Sequence, residues 1–357
     1  MTVRTNKSEI DIRAKLTELN RPNTIAGNEF LNQRTVKDQQ EHLGVGRRNQ
    51  IINGDFSISQ RGDYAGGFTA TEAVYFVDRW RTRTTSSPNA TCTHTLRKVR
   101  MEVDTTIASA SVRIDQKIEI LDSTHLSNKI MTLSAWVKSN SSNARIAVYH
   151  QGWEARNTKH SGDGEWEYLT LTFNTGELVA GNEFSIQIGL DGELSANVPL
   201  TDGEYFEVME VQLEFGDTAS PFERRTFGEE LALCQRYYVM LAAGADYDER
   251  YAGGSSHILG TMHKWNTTNT FVFTDLPVSM RNSNNMSLKV PAPTSNAFAF
   301  KSAGYTATGN GLSLDGDSSN RSIRLNTAIT NGSWPLGCSG WVRCNQTSAY
   351  CAIDCEL

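Results

Sequence analysis

Val211-Gln212-Leu213-Glu214-Phe215-Gly216-Asp217-Thr218-Ala219-Ser220-Pro221-Phe222-Glu223-Arg224-Arg225 runs directly into Thr226-Phe227-Gly228-Glu229-Glu230-Leu231-Ala232-Leu233-Cys234-Gln235-Arg236-Tyr237-Tyr238. The first half alternates as a strand does and gives way at Pro221. Thr226 and Glu229 then have the spacing of a capping box, in which each side chain satisfies a free backbone N–H of the other. A short helix follows, so the stretch reads as a junction between two β-rich regions and not as an active site.

Period-two patterning continues upstream. Val112, Ile114, Ile118 and Ile120 alternate with Arg113, Asp115, Lys117 and Glu119, and Phe184, Ile186, Ile188 and Leu190 alternate with Ser185, Gln187 and Asp191. The spacing predicts strands with one face in and one face out. Loops rich in Gly, Asn and Ser, such as residues 140–143 and 161–164, separate them. Downstream, the chain predicts strands at Thr270 to Phe273, Ser287 to Val290, Ser322 to Leu325 and Ala349 to Leu357, with fewer apolar residues. The predicted fold is mainly β, a β-sandwich over residues 47–226, a connecting helix at 227–240 and a second β-rich domain at 241–357.

Residues 1–46 read differently. Ser8 can cap a helix with Ile12, Leu16 and Leu19 on one stripe, ended at Asn20-Arg21-Pro22. A second helix is predicted from Asn28 to Leu43, with Gly44 as its stop. Both stripes are too narrow to stabilise a lone helix, so both need a partner. That partner is either the rest of the chain or another protein.

Asn53-Gly54-Asp55-Phe56, Gln60-Arg61-Gly62 and Asp78-Arg79-Trp80 open the sandwich, and Tyr350-Cys351-Ala352-Ile353-Asp354-Cys355-Glu356-Leu357 closes the chain. Taken with residues 211–238, these motifs resemble bacteriophage tail fibre and other virion structural proteins, in which such a junction closes a jelly roll similar to carbohydrate-binding modules. The final segment resembles their "AEL" terminus, with Cys355 in place of the alanine. The likeness is strong over residues 48–240 and weak elsewhere. It implies a virion protein assembled in the host cytoplasm, attached to other virion proteins through residues 1–46 and carrying a C-terminal tip at 241–357. It also implies a homotrimer, host surface polysaccharide as partner, and a structural calcium ion at Asp55 and Glu214. The residues alone explain Asn53-Gly54-Asp55 equally well as a turn.

Composition bounds the rest. With 34 basic and 40 acidic residues in 357, the chain is mildly acidic. It therefore lacks the electrostatic footprint of a nucleic-acid binder. No apolar run approaches the roughly 18 residues of a membrane span, and Met1–Lys7 lacks the apolar core of a signal peptide. Cys338, Cys344, Cys351 and Cys355 have spacings that do not fit a zinc site. Small buried side chains, a disulfide and a metal remain open for them. Arg61-Gly62-Asp63 reads as loop structure.

The binding clue is a set of aromatics on the polar side of three strands. Trp136 stands with Thr132, Ser134 and Lys138, Tyr149 and Trp153 with Arg145 and Gln151, and Trp166 and Tyr168 with Thr170 and Thr172. Rings that stack on pyranose C–H faces, beside polar groups that bond hydroxyls, are what a sugar-binding sheet needs. Burial against the N-terminal arm or a neighbouring subunit is the other reading, and a one-residue slip in register would reverse the faces. No Gly-x-Ser-x-Gly elbow, phosphate loop or His-Glu-x-x-His motif is present. The leading function is therefore a tail fibre that binds host glycan without catalysis. A purely structural head fibre, decoration or tail adaptor is second, and a glycan depolymerase is third.

Overall fold

The computed structural model describes residues 48–85, 90–120, 126–150, 153–179, 184–191, 198–243, 258–265, 270–282, 285–290, 298–302, 305–309, 312–327, 339–344 and 350–356. The helices expected within residues 1–46 lie outside the described residues. So does Cys338.

The first sheet orders its strands Phe68–Thr69, Ala90–Thr95, Lys98–Val103, Tyr205–Phe215, Ile130–Ser139 and Trp166–Asn174. The second runs Val74–Tyr75, Arg81–Thr85, Ile107–Lys117, Phe184–Leu190, Ala144–His150 and Trp153–Lys159, with Val198–Leu200 paired to Ile107–Lys117. All pairings are antiparallel. Their apolar sides meet in one core, where Val99, Met101, Leu133, Val137, Phe206 and Leu213 from the first sheet pack with Val112, Ile114, Ile146, Val148, Ile186 and Ile188 from the second. Each such side chain contributes about 1.5–3 kcal/mol by leaving water. The result is a mainly β jelly-roll sandwich, the sandwich being what the alternation predicts and the jelly roll what the resemblance implies.

The one-face-out expectation needs correction in the second sheet. Arg113 and Asp115 point away from the apolar core yet are buried. Arg113 donates to Asp191 at 2.6 Å, and Asp115 accepts two bonds from Arg81 at 2.6 and 2.7 Å. Period two tells the sides of a strand apart but not whether the second side is covered. The strand also ends at Lys117, so Ile118 and Ile120 continue the alternation without belonging to it.

The opening motif is built around Asn53 and Gly54. Asn53 adopts a left-handed backbone at φ 59°, which Asn tolerates. Its amide donates to the carbonyls of Ile58 and Asp78 and accepts from Ile58 N–H, while its own carbonyl takes the Trp80 indole N–H. Gly54 exchanges a backbone bond with Val211, and a Cβ there would stand 2.2 Å from the Val211 carbonyl oxygen. The first motif is thus locked onto the strand of the junction.

The helix spans Phe227–Gln235 with Thr226 as N-cap, and both halves of the capping box form. Glu230 on this helix accepts from the Asn53 backbone N–H and pairs with Arg225. Beyond it, Tyr238–Ala243, Tyr350–Asp354 and Ser287–Lys289 form a three-stranded sheet. A seven-stranded sheet follows the order Tyr305–Gly309, Phe298–Ser302, Ser339–Cys344, Ile258–Lys264, Thr270–Asp275, Ser322–Thr327 and Ser313–Leu314. A second core holds Met262, Val272, Phe298, Phe300, Ile323, Leu325 and Val342, with Cys351, Ile353 and Cys355. Cys351 and Cys355 are buried in this core as small side chains. Among the described residues no helix is long and apolar enough to cross a membrane.

The end of the chain returns to the sandwich. Gln60 bonds the backbone of Tyr238 and Met240. Arg61 donates to Asp354 at 3.2 Å and Glu356 at 3.0 Å, with its guanidinium 3.8 Å from the Tyr238 ring centroid. It is an internal anchor in a loop, not an exposed tripeptide. Arg79 pairs with the other oxygen of Glu356 and stacks on Tyr237 at 3.6 Å. Removing one partner of a buried pair leaves an uncompensated charge, which costs about 3–5 kcal/mol. Glu356→Ala should lose that much stability in urea unfolding, and adding Arg79→Met should recover part of it.

Asp78 is fully buried beside this cluster, accepting from Gln60 at 2.7 Å with Arg61 at 3.8 Å. Burial pushes its carboxyl up to about 7 from 3.8, against the opposing pull of Arg61. The folded state then holds a proton that the unfolded state has released, so this contribution is full below pH 3.8 and is lost as pH rises to about 7. Asp78→Asn should flatten that part of the pH–stability curve, by at most about 4 kcal/mol between pH 4 and 8, read from paired urea titrations.

Candidate functional site

The antiparallel register of Ile130–Ser139 with Trp166–Asn174 sets Tyr168 directly across from Trp136 and Trp166 across from Lys138. The inner alternates Met131, Leu133, Ala135 and Val137 are fully buried, so these rings stand on the outer face of the first sheet. Trp136 and Tyr168 have centroids 5.2 Å apart at 48°, a tilted pair within the favourable range for aromatics. Tyr168 is 39% exposed, while Trp136 and Trp166 are half-buried.

Polar groups frame the rings. Across the next strand, Met209 lies beside Trp136 and Glu207 beside Lys138. Glu207 accepts from Lys98 at 3.1 Å and Arg100 at 3.0 Å, and Arg100 also binds Glu102 and stacks on Tyr205 at 3.6 Å. On the opposite flank the segment 216–223 crosses the face as a strap. Thr132 donates to the Gly216 carbonyl at 2.8 Å, Thr172 to that of Asp217 at 3.2 Å, and Tyr168 Oη to that of Ser220 at 3.4 Å. The outcome is a shallow aromatic platform between a charged cluster and a strap.

The five aromatics do not share one face. Trp136, Trp166 and Tyr168 come together, but Tyr149 lies on Ala144–His150 in the second sheet, paired in register with Ser185 and Glu154. Trp153 is in the neighbouring strand of that same sheet, in register with His150, so it does not share the side of Tyr149 that the alternation predicts for it. The outer faces of a two-layer sandwich point in opposite directions. Sequence alternation assigns each ring to the polar side of its strand but carries no information on which sheet receives the strand. Glu207, Met209 and Arg100 were missed, although the alternation of Tyr205, Glu207 and Met209 with Phe206 and Val208, and of Lys98 and Arg100 with Val99 and Met101, carries the signal for them.

The residues expected to hold calcium do not fit the ion. Glu214 uses both carboxylate oxygens on its own chain: Oε1 accepts from Ser220 N–H at 2.8 Å and Gln212 Nε2 at 2.8 Å, and Oε2 from Ser220 Oγ at 2.6 Å. Asp55 caps the Ser57 N–H and faces the Arg97 guanidinium at 4.0 Å, a cation where another would have to sit. Glu214 instead fastens the strap. His160, Asp163 and Glu167, on either side of Trp166, lie within mutual ligand reach. However, His160 Nδ1 accepts from Gly162 N–H and Nε2 is 2.9 Å from the Glu165 carbonyl, to which it must donate. Both ring nitrogens are therefore engaged in shaping the loop.

No protein-family model matches the chain, and no curated protein matches it. Solved structures similar to it include a family 61 carbohydrate-binding module in complex with β-1,4-galactotriose, at 15% identity over 47% of this chain and 99% of that one, TM-score 0.28. A family 4 carbohydrate-binding module aligns at 15% identity over 46% and 99%, TM-score 0.31. Tailspike protein 4 of bacteriophage CBA120 aligns through its enzymatically active domain at 12% identity over 47% and 21%, TM-score 0.27.

Glu214→Ala should release the strap and lower stability by about 1–3 kcal/mol, because it leaves three donors without their acceptor. A chelator should leave the thermal midpoint of the wild-type protein unchanged.

Proposed function

We propose that the protein is a structural subunit of a phage particle, a tail fibre, that binds host surface glycan reversibly through the outer face of its first sheet. The observation that carries the binding part is the Trp136–Tyr168 pair, a partly exposed ring platform with Lys138, Glu207 and Thr170 in neighbouring outer positions. Rings of this kind hold the C–H face of a sugar while the polar neighbours bond its hydroxyls. Such a site binds and releases, and the reading assigns it no catalytic group.

The junction at 211–238 and the opening motifs support the virion setting through their resemblance to tail fibre proteins. In this reading residues 1–46 attach to other virion proteins, and three copies of the chain present their platforms together. Multivalency then raises a weak single-site affinity without any new contact. Nucleic acid and membrane insertion have no part in it.

The test is binding of the purified full-length protein to extracted host polysaccharide, beside Trp136→Ala with Tyr168→Ala. Loss of two stacking rings should weaken binding about 10- to 100-fold. Unchanged affinity in a folded variant overturns the site. Absence of binding by wild type transfers support to a purely structural fibre.

A further inference from the structure

The seven-stranded sheet of the second β region has a sharply divided composition. One side supplies Met262, Val272, Ile323, Leu325 and Val342 to the core. The other carries two rows read straight from the registers. Trp341, Thr261, Phe273 and Arg324 lie side by side across four strands, and Ser339, His263, Phe271, Asn326 and Ser313 form the adjoining row. Phe273 is 45% exposed, and Trp265, the residue just after the Ile258–Lys264 strand, is 67% exposed.

We propose that this outer face is a second binding surface, for a neutral, extended oligosaccharide. The inference goes beyond the first-sheet site and does not depend on it. Three features select that ligand. Trp341 and Phe273 are two strand spacings apart, about 10 Å, which matches rings stacking on every second sugar of one extended chain. Each ring has a hydrogen-bonding side chain beside it in register: Thr261 lies between Trp341 and Phe273, and His263 and Asn326 flank Phe271. Polar side chains, Arg324 and His263 included, sit among the rings and not only around them. Arg324 does not call for an anion, because it is bound by Asp315 at 2.9 Å and by Asp317, with its guanidinium over Phe271 at 4.7 Å. Its charge is answered within the face, and it holds Phe271 in place.

The experiment uses full-length protein and neutral β-linked hexasaccharides of gluco, galacto, manno and xylo configuration, with binding read by calorimetry and mass by sedimentation. At least one hexasaccharide should bind wild type. Trp341→Ala with Phe273→Ser should weaken it at least tenfold at unchanged mass, and the exposed Trp265→Ala, which leaves the core untouched, about threefold or more. Binding to none of the four overturns the inference, as does full affinity in both the double variant and Trp265→Ala. A fall in sedimented mass with the double variant also overturns it, because the face is then a contact between copies. Trp136→Ala with Tyr168→Ala is run in parallel: its result decides the first-sheet site alone, so either surface can fail while the other stands.

Discussion

Glu356 is the point on which the architecture turns. Its two carboxylate oxygens hold Arg79 and Arg61, two arginines from the opening of the sandwich, and both guanidinium planes are backed by tyrosines from the start of the second β region. Arg79 also reaches the Lys117 carbonyl, and Arg61 reaches Asp354 in the last strand. Charges this buried are costly unless they are paired. Here planar guanidinium groups supply the bonds in a fixed geometry that a lysine could not reproduce. An apolar contact would tolerate sliding; this one fixes the register of the last strand, because only one placement puts Asp354 and Glu356 on their arginines.

The same place explains why the motifs occur together. Asn53, Gly54, Gln60, Asp78, Arg79, Trp80, Glu230, Tyr237 and Tyr238 look like separate signatures along the chain. In the fold they are one joint, made of bonds that span up to 295 residues of sequence. Gly54 is there because the Val211 carbonyl comes too close for any Cβ, and Asn53 because a left-handed residue must also satisfy three backbone groups. The helix adds Glu230 to the joint, so the capping box that starts it also positions a buried carboxylate.

What was legible in the sequence was local. The capping box needs only four residues, and the strands of the sandwich need only alternation; both are stated in the chain and both form. The end of the helix is not: predicted over 227–240, it stops at Gln235 because Tyr238–Ala243 pairs as a strand with Tyr350–Asp354, a long-range contact that local pattern does not carry. What was not legible was assembly. Nothing in Ala144–His150 distinguishes a strand of the second sheet from one of the first, so Tyr149 could not be separated from Trp136 by pattern. Arg113 and Asp115 look like solvent-facing residues because polarity marks the side of a strand away from the apolar core, whether or not that side is covered. Glu214 looks like a metal ligand until Ser220, six residues on, folds back to occupy its oxygens.

These differences bear on how the molecule can bind. The first-sheet platform is held on a rigid base: its strands sit over the main core, and the strap that borders it is tied down by Glu214, Gln212 and Thr132. A flat ring surface so supported pays little ordering entropy on binding, which favours a ligand that offers faces and hydroxyls over one that must be enclosed. The joint at Glu356 adds a second consequence. Because it ties the end of the chain to the sandwich, strain applied to the second β region passes into buried ion pairs rather than into a flexible linker.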